Sequence, residues 1–253
     1  MSEPPKRIAI FGCGVQKGGT TSLHGYFRAH PELSAPRVKE THFFDDETQD
    51  WSAPDFTVPD RLYDPADGNR LRFDITPIYA FWPPALARLR AYNPQARLIF
   101  LFRDPLERAW SQWCMDRHEG RETLAFDVAI RDGRRRMAGL PPLAPMRRMC
   151  SYVERGFYAE QVRRALAHFP REQMLFLRSA DLRDTPAIVL RRIADFLGIG
   201  PFPDTAPKRE RPNPFTGGPS EADRALVADL VHDEMRAFAA LTGLDIADWP
   251  VMR

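Results

Sequence analysis

Residues 7–13, RIAIFGC, run apolar into glycine, and residues 20–30, TTSLHGYFRAH, follow as a helical stretch closed by Pro31. A buried strand, a glycine-rich turn and a helix in that order constrain the fold more than any other feature. A continuous apolar run is what a strand covered on both faces requires, and such strands belong to parallel sheets. Thr20 and its neighbours are of a type that caps helices.

The same grammar recurs down the chain. RLRFDIT (70–76) is a second strand, and PPALARLRAY (83–92) a helix with prolines in its first turn. ARLIFLF (96–102) is the cleanest buried strand; RDP (103–105) ends it, and PLERAWSQWCMDRH (105–118) begins a helix. QMLFLRS (173–179) is a fourth strand, followed by PAIVLRRIADFLGI (186–199), a helix with Ile188, Ile193, Phe196 and Leu197 inward. Further helices are expected over 124–138, over 156–169 with Phe157, Val162, Leu166 and Phe169 near one face, and over about 220–242 with Leu226, Leu230, Phe238 and Leu241 inward. Prolines make 141–149 a loop, and the six prolines of 200–219 make that stretch a long irregular connection. Strands alternating with helices specify the α/β class with a mostly parallel sheet, expected as a single domain over 1–253.

Composition removes several functions. A net charge of +2 over 253 residues gives no electrostatic footprint for nucleic acid. Cys13, Cys114 and Cys150 show no CxxC spacing, so neither a disulfide framework nor a zinc site is indicated, and no metal is expected. No apolar stretch approaches the roughly 20 residues that span a bilayer. MSEPPKR is too short and polar for a signal peptide. The expectation is a cytoplasmic protein without a transmembrane segment.

Residues 12–22, GCGVQKGGTTS, carry the chemistry. Glycines at 14, 18 and 19 let the backbone aim several N–H groups at one point, and the following helix adds its positive end. Thr20, Thr21 and Ser22 supply hydroxyl donors. The loop matches neither common phosphate signature: a dinucleotide fingerprint wants glycine at Lys17, and a triphosphate loop wants lysine where Thr20 stands. Lys17 is one of only four lysines among 36 basic residues. From its position it projects toward a bridging or leaving oxygen. LIFLFRD ends in Arg103 before its aspartate and offers no acidic strand terminus for magnesium.

Four stretches together resemble a family. GVQKGGTTSLHGYFRAHP, KETHFFD (39–45), RDPLERAWSQW (103–113) and RGFYAEQVRRALAHFPREQMLFLRSADL (155–182) are similar to the corresponding parts of sulfotransferases that use 3′-phosphoadenosine-5′-phosphosulfate (PAPS), in the heparan sulfate branch and its bacterial relatives. The resemblance spans about residues 8–198. It implies a P-loop-like central parallel sheet with helices on both faces, PAPS as co-substrate and its desulfated product PAP. Lys17, Gly18, Gly19, Thr20, Thr21 and Ser22 would grip the 5′-phosphosulfate, with Lys17 stabilising charge on the bridging oxygen. Arg103 and Ser111 would bind the 3′-phosphate, with Lys208 and Arg209 matching a further basic loop only weakly. Glu40 takes the place of the base, His42 competes for that role through its ordinary pKa near 6.5, and Lys39 would either tune Glu40 or contact the acceptor or the phosphosulfate.

Departures accompany the match. The Lys-Thr/Ser-Pro stretch of the family reads ITP here, with Ile75 for the lysine and Asp74 before it. Asp74 is open to an acceptor-orienting, a basic or a structural role. Arg134–Arg136 and Arg147–Arg148 are either contacts for an anionic acceptor or a solvated face. Trp51, Trp82, Trp110 and Trp113 are either an acceptor wall or core. The expected partner is a small-molecule, glycolipid or saccharide acceptor. A P-loop kinase for a small metabolite and a non-catalytic nucleotide-binding module are the competing functions.

Overall fold

A computed structural model describes residues 6–208 and 215–253. The elements begin with β1 (Ile10–Gly14), α1 (Thr20–Arg28), β2 (Leu33–Ser34), α2 (Thr57–Asp60), β3 (Leu71–Ile75), α3 (Ala85–Tyr92) and β4 (Arg97–Phe102). They continue with α4 (Pro105–His118), α5 (Phe126–Met137), α6 (Met146–Cys150) and α7 (Tyr158–His168). The series ends with β5 (Met174–Arg178), α8 (Ser179–Asp184), α9 (Pro186–Leu197) and α10 (Glu221–Thr242). The strand order is β2-β3-β1-β4-β5 and every pairing is parallel. The α/β class is therefore as expected from sequence. The two-residue β2 was not expected; it is too short to carry a period-2 signal. Helix α6 lies in the stretch expected to be a loop, and α8 follows β5 without a break.

Contacts divide the described residues into two compact units, one of residues 6–15, 19–102 and 165–208, the other of 16–18, 103–164 and 215–253.

The first unit holds the whole sheet. Its core joins Ile10, Phe73, Ile99, Leu101 and Leu177 from the strands to Phe27, Leu190 and Ile193 from α1 and α9. Each such side chain contributes about 1.5–3 kcal/mol by leaving water. Glycine at 12 and 14 has a packing reason: a Cβ would stand 2.9 Å from the Ile75 side chain and 2.9 Å from the Ala80 Cβ, respectively. The inward face of α9 includes Val189, Leu190, Ile193 and Leu197; of the residues expected inward, Ile193 and Leu197 are buried, Phe196 packs partly buried on the core, and Ile188 is instead 52% exposed.

In the second unit Asp104 caps α4, its carboxylate accepting from the Glu107 N–H at 2.9 Å, and Pro105 takes the first helical position. Helix α10 opens with a reciprocal Ser220–Asp223 capping box. Its buried stripe includes Val227, Val231, Met235 and Phe238; of the residues expected inward Phe238 is buried, while Leu226, Leu230 and Leu241 flank the stripe half-buried.

Candidate active site

The turn after β1 is built from left-handed backbone. Lys17 has φ 68° and Gly19 φ 89°. Gly19, not a threonine, occupies the cap of α1, with no side-chain hydrogen bond to the helix. Thr20 is the first helical residue and is buried. The expected threonine cap is thus absent, which leaves the leading N–H groups of α1 without a capping side chain. Any side chain at 19 would be strained by the backbone, and a Cβ there would also stand a tight 3.3 Å from Ser179 Oγ. Lys17 lies half-buried with Nζ 3.6 Å from Met115 Sδ.

Loop 39–45 meets the first turn of α1. Lys39 Nζ donates to Thr21 Oγ1 at 3.0 Å and to Glu40 Oε1 at 2.9 Å. His42 Nε2 is 3.7 Å from Glu40 Oε2, and its Nδ1 is 3.1 Å from both oxygens of the buried Asp45. Glu40 has φ 60° and His42 φ 54°. Among the described residues, Lys17, Glu40 and His42 are the non-glycine residues with left-handed backbone. Each such residue costs about 1–3 kcal/mol, and such outliers gather at functional sites.

The electrostatics of this loop separate the two base candidates. Burial alone would raise the Glu40 pKa, but the His42 ring 3.7 Å away, the Lys39 hydrogen bond and the charges of both outweigh it and hold the carboxyl at about 2. His42 moves the other way: the hydrogen bond to Asp45 and then the Glu40 carboxylate 3.7 Å away, opposed by burial, lift it to about 9. At neutral pH His42 is a cation that has no lone pair for a proton, while Glu40 is an ionised carboxylate. His24, on α1, is buried edge-on to Phe73; burial, then the charges of Lys39 and Arg28, lower its pKa to about 4 and keep it neutral.

The remaining residues fall into place one by one. Arg103 directly follows β4 and donates through Nε to Glu107 Oε2 at 3.0 Å, and Ser111 is half-buried two turns into α4. Ser22 Oγ donates to the Lys208 carbonyl at 3.0 Å, so here its proton serves the chain. Lys208 Nζ sits 3.2 Å from Asp204 and 4.7 Å from the Tyr26 ring centroid. Arg209 lies outside the described residues. Ile75 is 1% exposed and packs against Gly12, so the position of the family lysine is core.

Tryptophans are packing residues. Trp82 is buried and donates to Glu47 at 2.6 Å, Trp51 packs on Phe43, and Trp110 stacks on Trp113 with centroids 5.0 Å apart. Arg134, Arg135 and Arg136 pair with Glu154, Asp132 and Glu122, the ordinary behaviour of a charged helix face. No group of three or more His, Cys, Asp or Glu among the described residues is arranged to hold a metal ion, and no helix among them is long and apolar enough to cross a membrane.

Thr41, Asp45 and Tyr79 are the site residues that sequence reasoning missed. KETHFFD contains the first two, but their role appears only through partners 3 to 38 residues away.

Comparison with known proteins supplies a family. Residues 7–241 match the family model described as Sulfotransferase domain. The chain is 33% identical over 195 residues to heparan sulfate glucosamine 3-O-sulfotransferase 3A1 of Mus musculus, covering 77% of this chain and 46% of that protein. It is 30% identical over 187 residues to heparan sulfate glucosamine 3-O-sulfotransferase 6 of Homo sapiens, covering 74% of this chain and 51% of that protein. The chain therefore spans about half the length of these relatives. A crystal structure of a sulfotransferase from Alicyclobacillus acidocaldarius superimposes with a TM-score of 0.78 at 26% identity, over 98% of this chain and 99% of that one.

Proposed function

The chain belongs to the sulfotransferase domain family, and from that membership we propose that it moves a sulfuryl group from PAPS to an acceptor hydroxyl by in-line displacement. The observation that carries the reading is the coincidence of three left-handed residues with three roles. Lys17, Glu40 and His42, singled out by sequence for catalysis, are the residues on which the fold imposes an uncommon backbone.

The residues present suit a phosphosulfate. Helix α1 has nine residues and no side-chain cap, so its N–H groups and positive end favour an anion. Lys17 and the hydroxyls of Thr20 and Thr21 add donors of the right kind. Lys17 offsets the charge that builds on the bridging oxygen as the O–S bond breaks. Glu40 accepts the acceptor's proton as the new O–S bond forms. Lys39 and His42 hold the Glu40 carboxylate ionised and oriented. Arg103 and Ser111 bind the 3′-phosphate, and Arg103 exchanges Glu107 for that stronger anion.

The acceptor belongs to the alcohols of small molecules, glycolipids or saccharides. Buried Ile75 removes one cation from the acceptor side, which favours acceptors of lower charge than heparan sulfate.

Thermal denaturation with adenosine 3′,5′-bisphosphate against ATP–magnesium tests the reading. The bisphosphate should raise the midpoint by several degrees more; equal or reversed shifts would leave the kinase standing and remove this one. Incubation with labelled PAPS across alcohol acceptors then separates enzyme from binding module: no labelled product from any acceptor, with bisphosphate binding intact, is the outcome a binding module gives.

A further inference from the structure

We propose that Asp74 is a positioning residue for the candidate base, holding Glu40 in its working conformation by clasping Thr41; the inference rests on the reading of Glu40 as base. Asp74 lies on β3, opposite Phe11 of β1, and is 0% exposed. Its Oδ1 accepts from the Thr41 N–H at 3.3 Å and from Thr76 Oγ1 at 2.7 Å. Its Oδ2 accepts from Thr41 Oγ1 at 2.7 Å and from Tyr79 OH at 2.9 Å. Thr41 Oγ1 and Tyr79 OH are also 3.1 Å apart, which closes the cluster.

Four donors fill the roughly four acceptor sites of a carboxylate. Asp74 has no site left for a substrate proton and no exposure through which to receive one. This removes the basic and acceptor-orienting roles open to it from sequence. Burial raises its pKa, the hydrogen bonds from Thr41, Thr76 and Tyr79 oppose that shift, and no Lys, Arg or His hydrogen-bonds to it in the described structure. A buried carboxylate without a cationic partner is costly to keep for packing alone.

What it holds explains its presence. Thr41 stands between Glu40 at φ 60° and His42 at φ 54°. The Thr41 N–H belongs to the peptide unit shared with Glu40, so its bond to Asp74 fixes the rotation of that peptide. The Thr41 hydroxyl bond fixes the side chain on the other oxygen of the same carboxylate. Two strained residues are thereby held from the single residue between them. Released, both would relax toward negative φ and carry the Glu40 carboxylate and the His42 ring off Lys39 and Asp45.

Four variants test the clasp: Thr41→Val, Thr41→Ser, Asp74→Asn and Glu40→Gln, with the double variant E40Q/T41V. Thr41→Val and Asp74→Asn should each lower kcat by about tenfold or more, since small misplacements of reacting groups cost up to about 10²-fold. KM for PAPS and the stabilisation by adenosine 3′,5′-bisphosphate should change less than about twofold. Thr41→Ser should restore kcat to within about threefold. The His42 pKa, followed by NMR, should fall from about 9 toward 6.5 in Thr41→Val and hold in Thr41→Ser. E40Q/T41V should be no slower than Glu40→Gln alone, because the clasp acts through Glu40. Wild-type kcat or an unmoved His42 pKa in both Thr41→Val and Asp74→Asn overturns the proposal, as does a further loss in the double variant. A parallel loss of bisphosphate stabilisation also overturns it, by showing general disruption. The two readings fail differently: an active Glu40→Gln removes Glu40 as base, whereas an inactive Glu40→Gln with an unaffected Thr41→Val removes only the clasp.

Discussion

Two short stretches deliver charged side chains by opposite means. Residues 103–111 use regular structure: Arg103 follows a buried strand, Asp104 caps the next helix, Pro105 fixes its first turn and Ser111 rides on it. Residues 39–45 have no helix or strand of their own. They hold two left-handed residues in place with a carboxylate supplied by β3, 33 residues away from Thr41. The first stretch is stable by local rules and is proposed to bind the 3′-phosphate; the second is strained and is held by tertiary contacts. A group that only grips an anion tolerates a helix surface. A group that must meet a proton in flight, the role proposed for Glu40, needs a fixed direction, and the 39–45 loop has one by over-determination.

The contrast can be broken most sharply at the base. Glu40→Gln should lower kcat by about 10²- to 10⁴-fold with bisphosphate binding intact; a loss of binding in proportion would make the 39–45 loop a gripping element like its counterpart. Next in size, Arg103→Ala should weaken bisphosphate binding by about 10- to 100-fold, the range of hydrogen bonds to charged groups, and calorimetric titration reads it directly. Melting of that variant should stay near wild type, since the Arg103–Glu107 pair at the start of α4 is open to solvent and contributes little. Asp104→Ala should cost about 2–4 kcal/mol of stability, through the lost cap and through the buried Val251 N–H that loses its acceptor, measured by urea unfolding, with catalysis by folded protein preserved. A larger drop in kcat than in stability would show that the helical stretch also positions reacting groups.

The smallest effect concerns pH. His42 in the folded protein has a pKa raised from 6.5 to about 9, so its contribution to stability is complete below pH 6.5 and is lost as pH rises through about 9. Glu40, lowered from 4.5 to about 2, contributes above pH 4.5 and loses that contribution as pH falls toward 2. Solvent keeps the histidine contribution small, because its side chain is half exposed. His42→Ala should flatten the stability curve between pH 6.5 and 9 relative to wild type; parallel curves there would mean that the loop is held without that cation.

The two stretches also differ in how far sequence reveals them. RDPLERAWSQW announces a strand end, a cap and a helix in consecutive residues, and its structure follows those signals. KETHFFD shows which chemical groups are present but carries no local sign that two of them sit at positive φ. Glutamate and histidine have no preference strong enough to write that backbone into sequence. Asp74 reads as an ambiguous strand-end acid until four donors are seen around it. The long helices were legible as helices, while α6 was not; on α9 and α10 the expected Ile193, Leu197 and Phe238 are buried, but Ile188, Leu226, Leu230 and Leu241 are not. Periodicity fixes a stripe's spacing, while its angle depends on what it packs against.

Sequence by itself determined the strand-and-helix alternation, the glycine-rich turn with its displaced lysine, and the family resemblance, because each rests on signals within a few tens of residues. Tertiary structure decided the strand order, the core fate of Ile75, the charge states of Glu40 and His42, and the hold of Asp74 on Thr41. These depend on burial and on partners distant along the chain. A carboxylate's chemistry is set by what surrounds it, and those surroundings exist only once the sheet has formed.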